Sequence, residues 1–253
     1  MDDVLNSRDV VLEALLERPR SKPELVEELN VSRSTVDRAI TELLESACID
    51  KTGSSYRATE TGRLGYQVRQ NYLDDVEILQ RAAPILRLLP RGSVDMEVLR
   101  EAEIDLPTEA APWKAFEESR RLAHESTSIR GTAPAVFGQF FDDFERSIEN
   151  GGFRPELVLD ADLFAAMDEA DRDRLEAVLE PDGGCVLTAQ LDDPFAIWIV
   201  EGGSLSEPAA GLTVYSNGGV VGVIRTSDPD GVEWIRAKYD RRRERAEKVL
   251  DFS

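Results

Sequence analysis

The sequence predicts two folded parts, an N-terminal winged helix-turn-helix and a larger C-terminal α/β domain made of a mixed sheet flanked by helices. Three observations point there. Residues 1 to about 60 read as short amphipathic helices closed by a hairpin signal. Residues 61–89 keep a helical pattern that only Pro84 interrupts, and Pro90-Arg91-Gly92 then forms a natural linker. From Gly92 onward, apolar β-rich runs alternate with helical ones. The expected division is a winged helix-turn-helix over 1–62, a linking or dimerisation helix over 63–91 and an α/β sensor domain over 92–253. A chain of 253 residues, 42% of them hydrophobic, is long enough to bury a core in each part.

The N-terminal elements follow in order. Val10, Val11, Ala14 and Leu15 share one face of a first helix that stops at Pro19. Ser21-Lys22-Pro23-Glu24 has capping-box order, a hydroxyl followed three residues on by a carboxylate that can reach back. It opens a second helix that turns Leu25, Val26 and Leu29 inward and ends at Asn30. Ser32 caps a third helix with Val36, Ala39, Ile40, Leu43 and Ala47 on its apolar face. Arg33, Ser34, Asp37, Arg38 and Thr41 occupy the opposite face. Helix, short turn, helix at this spacing is a helix-turn-helix. The segments 49–52 and 56–59 flank Gly53-Ser54-Ser55, a short loop that makes a hairpin, or wing, after the third helix.

A helix in this position reads DNA by placing short polar and arginine side chains from its first turns against base edges in the major groove. Ser32, Arg33, Ser34, Thr35 and Arg38 stand at those turns, and Lys51, Ser54, Ser55 and Arg57 on the wing would sit over phosphate or the minor groove. Residues 31–66 hold five basic and five acidic residues, so this window is neutral in a chain of formal charge −20. The other reading is a winged helix that binds protein, with Arg33 and Arg38 as a solvated face. Residues 24–44, the wing and Thr59-Glu60-Thr61-Gly62 together resemble the archaeal winged-helix transcriptional regulators. That resemblance implies double-stranded DNA as partner.

Leu64, Val68, Tyr72, Val76, Leu79, Leu86 and Leu89 form an apolar stripe along the linking helix, flanked by Leu73 and Ile78. It either packs on the chain's own sensor domain or joins a second copy, since two reading heads on a palindrome need a two-fold partner. Beyond Gly92, strands are expected at 94–99, 126–130, 157–159, 185–190, 196–200, 212–215 and 220–225. Helices are expected at 113–124, 135–150, 161–167, 171–179 and 230–250. The runs 196–200 and 220–224 are apolar enough for buried central strands, and Asn217-Gly218 is the strongest hairpin signal in the chain.

Residues 128–134 and 231–239 resemble the sensor domain of the FilR-type, or methanogenesis-regulator, family. The resemblance implies a regulator whose second domain receives a signal, with a fold loosely similar to phospholipase-D-like domains. That hydrolytic chemistry needs a His followed by a Lys two residues on and an Asp four beyond. His124-Glu125-Ser126 lacks the Lys and no second His exists, so this route is excluded. Gly183-Gly184 and Gly202-Gly203 read as turn glycines rather than phosphate loops. Cys48 and Cys185 lie too far apart for a metal-ligand pattern and read as buried small hydrophobes. His124 reads as a partner for the C-terminal end of its helix. No catalytic residue, metal or cofactor is therefore expected. Arg130, Gly131 and Thr132, expected at a strand end, are the candidates for a small-molecule effector, with a structural turn as the commoner alternative. The seven basic residues of the closing helix, Arg236, Lys238, Arg241, Arg242, Arg243, Arg245 and Lys248, face either DNA flanks or the acidic domain, and the second is favoured.

Composition bounds the rest. Fifty Asp and Glu stand against 30 basic residues, of which only five are Lys. Carboxylates with scarce lysine suit a salt-adapted, halophilic surface, on which an acidic total no longer argues against a nucleic-acid partner. No apolar run reaches the length of a membrane span, and Met1-Asp2-Asp3 lacks signal-peptide order, so a cytoplasmic protein is expected.

Overall fold

The computed structural model describes residues 1–111, 113–134, 153–180, 183–216 and 219–252. The chain packs as two compact units, Met1–Glu77 and Ile78–Ser253.

In the first unit, α1 (Asp2–Glu17), α2 (Lys22–Leu29) and α3 (Arg33–Glu45) close around Leu12, Leu15, Leu25, Val36, Ile40 and Leu43, all nearly without solvent contact. The Glu24 carboxylate accepts from the Ser21 backbone N–H and hydroxyl, each at 2.7 Å, which completes the expected capping box. Asn30 ends α2 in the left-handed conformation (φ 51°) that lets the chain turn sharply into α3. β2 (Ile49–Thr52) and β3 (Ser55–Ala58) pair antiparallel across Gly53-Ser54, with Gly53 at φ 62°. β1 (Arg20–Ser21) adds a third strand to that sheet, in the order β1-β3-β2. Two expectations shift. Val10 is exposed, while Leu5 and Leu12 join the buried face of α1. Ala47 is not on the apolar face of α3, because the helix stops at Glu45 and Ala47 itself takes φ 57° at the surface.

α4 spans Glu60–Leu86 and runs through Pro84 rather than breaking at it. In the second unit the eight-stranded sheet has the order β11-β7-β6-β5-β8-β9-β10-β4. Its strands are β4 (Glu103–Asp105), β5 (Ser128–Ala133), β6 (Arg154–Asp160), β7 (Cys185–Ala189), β8 (Phe195–Glu201), β9 (Ala209–Ser216), β10 (Gly219–Thr226) and β11 (Glu247–Asp251). β5, β6 and β7 are parallel, and the remaining pairings are antiparallel. Alternate residues of each strand go to opposite faces. Val158, Ile197 and Ile199 meet α5 (Met96–Leu99), the end of α4 and α9 (Pro229–Arg243) on one face. Leu157, Leu159, Trp198 and Val200 meet α8 (Glu169–Leu179) on the other. A sheet covered on both faces explains the uninterrupted apolar runs of β6 and β8. α6 (Lys114–Glu125) and α7 (Ala161–Ala166) complete the described helices.

Three expectations change in this unit. Residues 96–99 form a helical turn after Asp95, not a strand, and bury Val98 and Leu99 against the sheet. The closing helix ends at Arg243, and residues 247–251 pair with the open edge of β7 instead of continuing it. β10 lies inside the sheet, one strand from its edge, because the unforeseen β4 pairs along its outer side. β4 is short and charged, as an edge strand tolerates, and so carries no apolar signature. The helix expected at 135–150 and the Asn217-Gly218 turn lie outside the described residues.

Candidate nucleic-acid interface

The ten basic residues of the first unit divide into two groups. Arg8 pairs with Glu42 at 2.7 Å, and Arg18 with Glu24 and Glu28. Buried Arg20 binds Glu28 and Glu17 at 2.6 and 2.7 Å. Lys22 holds Asp37 at 2.6 Å, Arg63 holds Glu60 at 2.6 Å, and Arg69 donates to the Asn6 side chain. The four that remain are Arg33, Arg38, Lys51 and Arg57. All are exposed, and among the described residues none forms an ion pair. Two are on the outer face of α3 and two on the wing.

Local chemistry holds this surface in place. The Ser32 hydroxyl accepts from the Thr35 backbone N–H at 3.1 Å and caps α3, a contribution of about 1 kcal/mol. Its oxygen also lies 2.9 Å from the Ser34 hydroxyl and 2.8 Å from that of Thr35, so the three hydroxyls form one cluster at the positive end of the helix dipole. Ser54 is exposed at the wing tip, and Ser55 is partly covered because it also pairs with Ser21 of β1.

Asp37 is the acidic residue of the outer face, and Lys22 answers it. The hydrogen bond from Lys22 holds the Asp37 carboxyl below its ordinary range and raises the lysine in turn. Sequence reasoning missed this role, because the two residues belong to different helices and nothing local couples them. It also missed what the Thr-x-x-Gly motif does. The Thr59 hydroxyl donates to the Ala47 carbonyl at 2.7 Å and accepts from the Gly62 N–H at 3.1 Å, while its own N–H donates to the Cys48 carbonyl at 2.9 Å. A Cβ on Gly62 would lie 2.1 Å from that Cys48 oxygen. The motif clamps the end of the wing and the start of α4 to the end of α3. Cys48 itself is fully buried.

Elsewhere, Arg130, Gly131 and Thr132 lie within β5, not at a strand end, between β6 and β8 in the sheet. Arg130 binds Glu201 at 2.7 Å. Gly131 sits opposite Trp198, so close that an added Cβ would meet the Ile197 oxygen at 2.9 Å. The buried Thr132 hydroxyl accepts from the Ile197 N–H at 3.0 Å and from Arg242 at 3.2 Å. Cys185 is buried beside Glu156, and His124 sits in the last turn of α6. Among the described residues, no group of three or more His, Cys, Asp or Glu is placed to hold a metal ion. No described helix is long and apolar enough to cross a membrane.

Residues 112–245 match the family described as the middle domain of the methanogenesis regulatory protein FilR1. The chain belongs to this family. Residues 4–81 match a second family, described as the HVO_A0261 N-terminal domain, so the FilR1-type domain follows a separately recognised N-terminal module. Among curated proteins none matches the chain. Several solved structures resemble it at low identity. TrmBL2, an archaeal chromatin protein, is 13% identical with a TM-score of 0.43, over 95% of this chain and 91% of its own. The phospholipase D family member Nuc from Salmonella typhimurium is 12% identical with a TM-score of 0.42, over 58% of this chain and 97% of its own. An IclR homologue from Microbacterium sp. strain HM58-2 is 12% identical with a TM-score of 0.25, over 94% of each chain.

Proposed function

We propose that this FilR1-family chain is a cytoplasmic, homodimeric transcriptional regulator that binds promoter DNA through residues 1–62 and answers a signal through residues 92–253, with residues 63–91 joining two copies. The observation that carries the reading is the distribution of cations in the first unit. Every basic residue off the outer α3 face and the wing has an acidic or amide partner, and Arg33, Arg38, Lys51 and Arg57 on those surfaces have none among the described residues. Such residues gain most from phosphates and base edges, because no existing pair has to be broken. In this reading Arg33 and Arg38 reach guanine edges or phosphate, Ser32, Ser34 and Thr35 present hydroxyls and the helix N-terminus, and Lys51, Ser54, Ser55 and Arg57 follow the backbone beside the groove.

The dimer proposal is supported by α4, whose Leu64, Val68 and Tyr72 recur every four residues and stay exposed, with Leu79 continuing the stripe. The larger domain is read as a sensor and not an enzyme. A signal would act by binding two dimer geometries unequally and so changing the spacing of the two reading helices.

The test is mobility of the upstream DNA of the chain's own gene at several salt concentrations, for wild type and for Arg33→Ala with Arg38→Ala. Selective binding that weakens with salt and disappears in the double variant supports the reading. Absence of selective binding at any salt, from folded protein, would sink it and leave a winged helix that contacts protein.

A further inference from the structure

We propose that Lys238 and Arg242 form a binding site for a small oxyanion, a carboxylate or a phosphate, where the large sheet changes strand direction. The site supplies the chemistry of the signal in the regulatory reading and in that respect rests on it. β5, β6 and β7 run parallel and end at Ala133, Asp160 and Ala189, while β8 returns antiparallel beside β5 and begins at Phe195. In open α/β sheets, ligands collect outside the carboxyl ends of the strands where the strand order reverses, and here the chain leaves β7 and returns on the far side of β5 as β8. The register Thr132↔Ile197 puts Phe195 at that end.

α9 delivers the charges. Lys238 and Arg242 stand one turn apart, and their cations lie 5.3 and 5.2 Å from the centre of the same Phe195 ring. Lys238 also lies 4.9 Å from the Trp234 ring. Arg242 donates to the Thr132 hydroxyl and pairs with Asp193. Among the described residues Lys238 donates to the Ser93 carbonyl at 2.6 Å and forms no ion pair, feeling Asp193 only through its charge. Its neighbours differ: Arg236 pairs with Glu201 and Arg243 with Glu156. Among the described residues the Lys238–Arg242 pair therefore shares the single carboxylate of Asp193, and Arg241 adds a third positive charge that both groups feel. Burial works against both cations and lowers their affinity for the proton. A half-buried cation pair short of one negative charge, in a chain of formal charge −20, is relieved by one added oxyanion. The guanidinium fork and the lysine suit two oxygens of one carboxylate or phosphate group.

The full-length chain is titrated with inorganic phosphate and with citrate against potassium chloride of equal ionic strength. Tryptophan fluorescence, with Trp234 in place against Lys238, and the thermal midpoint are followed. A saturable change with either anion, beyond that of chloride, is expected, and the anion that produces it identifies the ligand class. Lys238→Gln and Arg242→Gln should each weaken binding roughly tenfold or more, and Lys238→Arg, which keeps the charge and guards against misfolding, should retain it. No saturable response to either anion from folded wild type overturns the site, as does wild-type binding by folded Lys238→Gln. DNA mobility on the same samples separates the two readings. Selective DNA binding without an anion response removes this site alone, whereas an anion response without selective DNA binding keeps the site and removes the regulator.

Discussion

Two helices of this chain are basic, and they use their charge in opposite ways. α9 is the richer, with Arg236, Lys238, Arg241, Arg242 and Arg243 within two turns, yet Arg236, Arg242 and Arg243 are tied to Glu201, Asp193 and Glu156. α3 has only Arg33 and Arg38, and among the described residues neither forms an ion pair. The carboxylates whose charge they feel, Asp37 and Glu42, are already held by Lys22 and Arg8. A count of basic residues would place the nucleic-acid surface on α9. In the proposed reading availability favours α3 and the wing, because a DNA phosphate at Arg236 or Arg243 of α9 has to displace Glu201 or Glu156, and at α3 it displaces no ion pair. The closing helix instead neutralises part of the acidic domain it packs on.

The sharpest way to break that contrast is to remove charge from each helix in turn. Arg33→Ala with Arg38→Ala should lower selective DNA affinity by about a hundredfold or more, at about 1–3 kcal/mol for each base-edge contact. Arg243→Gln should leave affinity within about twofold, since its charge is spent on Glu156. Mobility shifts at fixed salt read both. A loss with Arg243→Gln equal to that of the α3 pair would show that pairing does not decide availability.

The parts of this contrast legible in the sequence are those set by local chemistry. The Ser21–Glu24 capping box, the Ser32 cap and the period of Val36, Ala39, Ile40 and Leu43 define the helix-turn-helix within single turns of chain. β8 was equally plain, because a strand buried on both faces has to be apolar throughout. What escaped depends on distant partners. The end of α9 is decided by the open edge of β7, far away in sequence, which residues 247–251 take up as a strand. β4 is chosen by its pairing with β10, where Arg225 meets Asp105 and Glu103. The outer face of α3 was readable, but whether its arginines were free was not, because ion pairs such as Arg8–Glu42 join separate helices. The sequence predicts a strand end at Arg130 to Thr132, and only pairing with the distant β6 and β8 carries the strand on to Ala133. A glycine in a central strand looks like punctuation until the Ile197 carbonyl of the neighbouring strand is seen to stand 2.9 Å from where its Cβ would be.

Two stability measurements sharpen the comparison by asking what supports each helix. Gly62→Ala drives a Cβ into the Cys48 carbonyl, 2.1 Å away, at the junction that fixes the end of α3. Its expected cost is about 3 kcal/mol, seen as a lower thermal midpoint for the first unit, with DNA affinity lost as that unit melts. Glu156→Gln tests α9. Glu156 accepts from the hydroxyl of the buried Tyr239 at 2.8 Å and from Arg243 at 2.7 and 3.0 Å. Gln still accepts from the tyrosine, and Arg243 is nearly half exposed, so the loss should be about 1–2 kcal/mol with DNA affinity unchanged. A drop in DNA affinity for Glu156→Gln at temperatures where the protein stays folded would tie α9 to the reading surface after all.

The smallest expected effect is the pH dependence, and its sign separates pairing from availability. Asp37 and Glu42 are held below the ordinary carboxylate range by hydrogen bonds from Lys22 and Arg8. Glu24 is held down to about 2, first by the Ser21 backbone N–H, then by the Ser21 hydroxyl and Arg18. At Glu156 burial pulls upward, but hydrogen bonds from Arg243 and Tyr239 outweigh it and the net direction is down. Each of these groups has a lower pKa folded than unfolded. Their stabilisation is therefore complete above the unfolded carboxylate pKa of about 4 and is lost as pH falls through the folded values, toward about 2 for Glu24. The midpoint of thermal unfolding should fall only on acidification below about pH 4. Arg33 and Arg38 form no ion pair with these carboxylates among the described residues, although their charges help to hold Asp37 and Glu42 down, and Asp37 stays ionised throughout the neutral range. DNA affinity at constant salt should therefore be flat from about pH 5 to 8, because no group on the reading face changes charge there. A slope in that window, measured by mobility shift on folded protein, would mean that a titrating partner contacts the arginines of α3, and the distinction between the two helices would no longer rest on pairing.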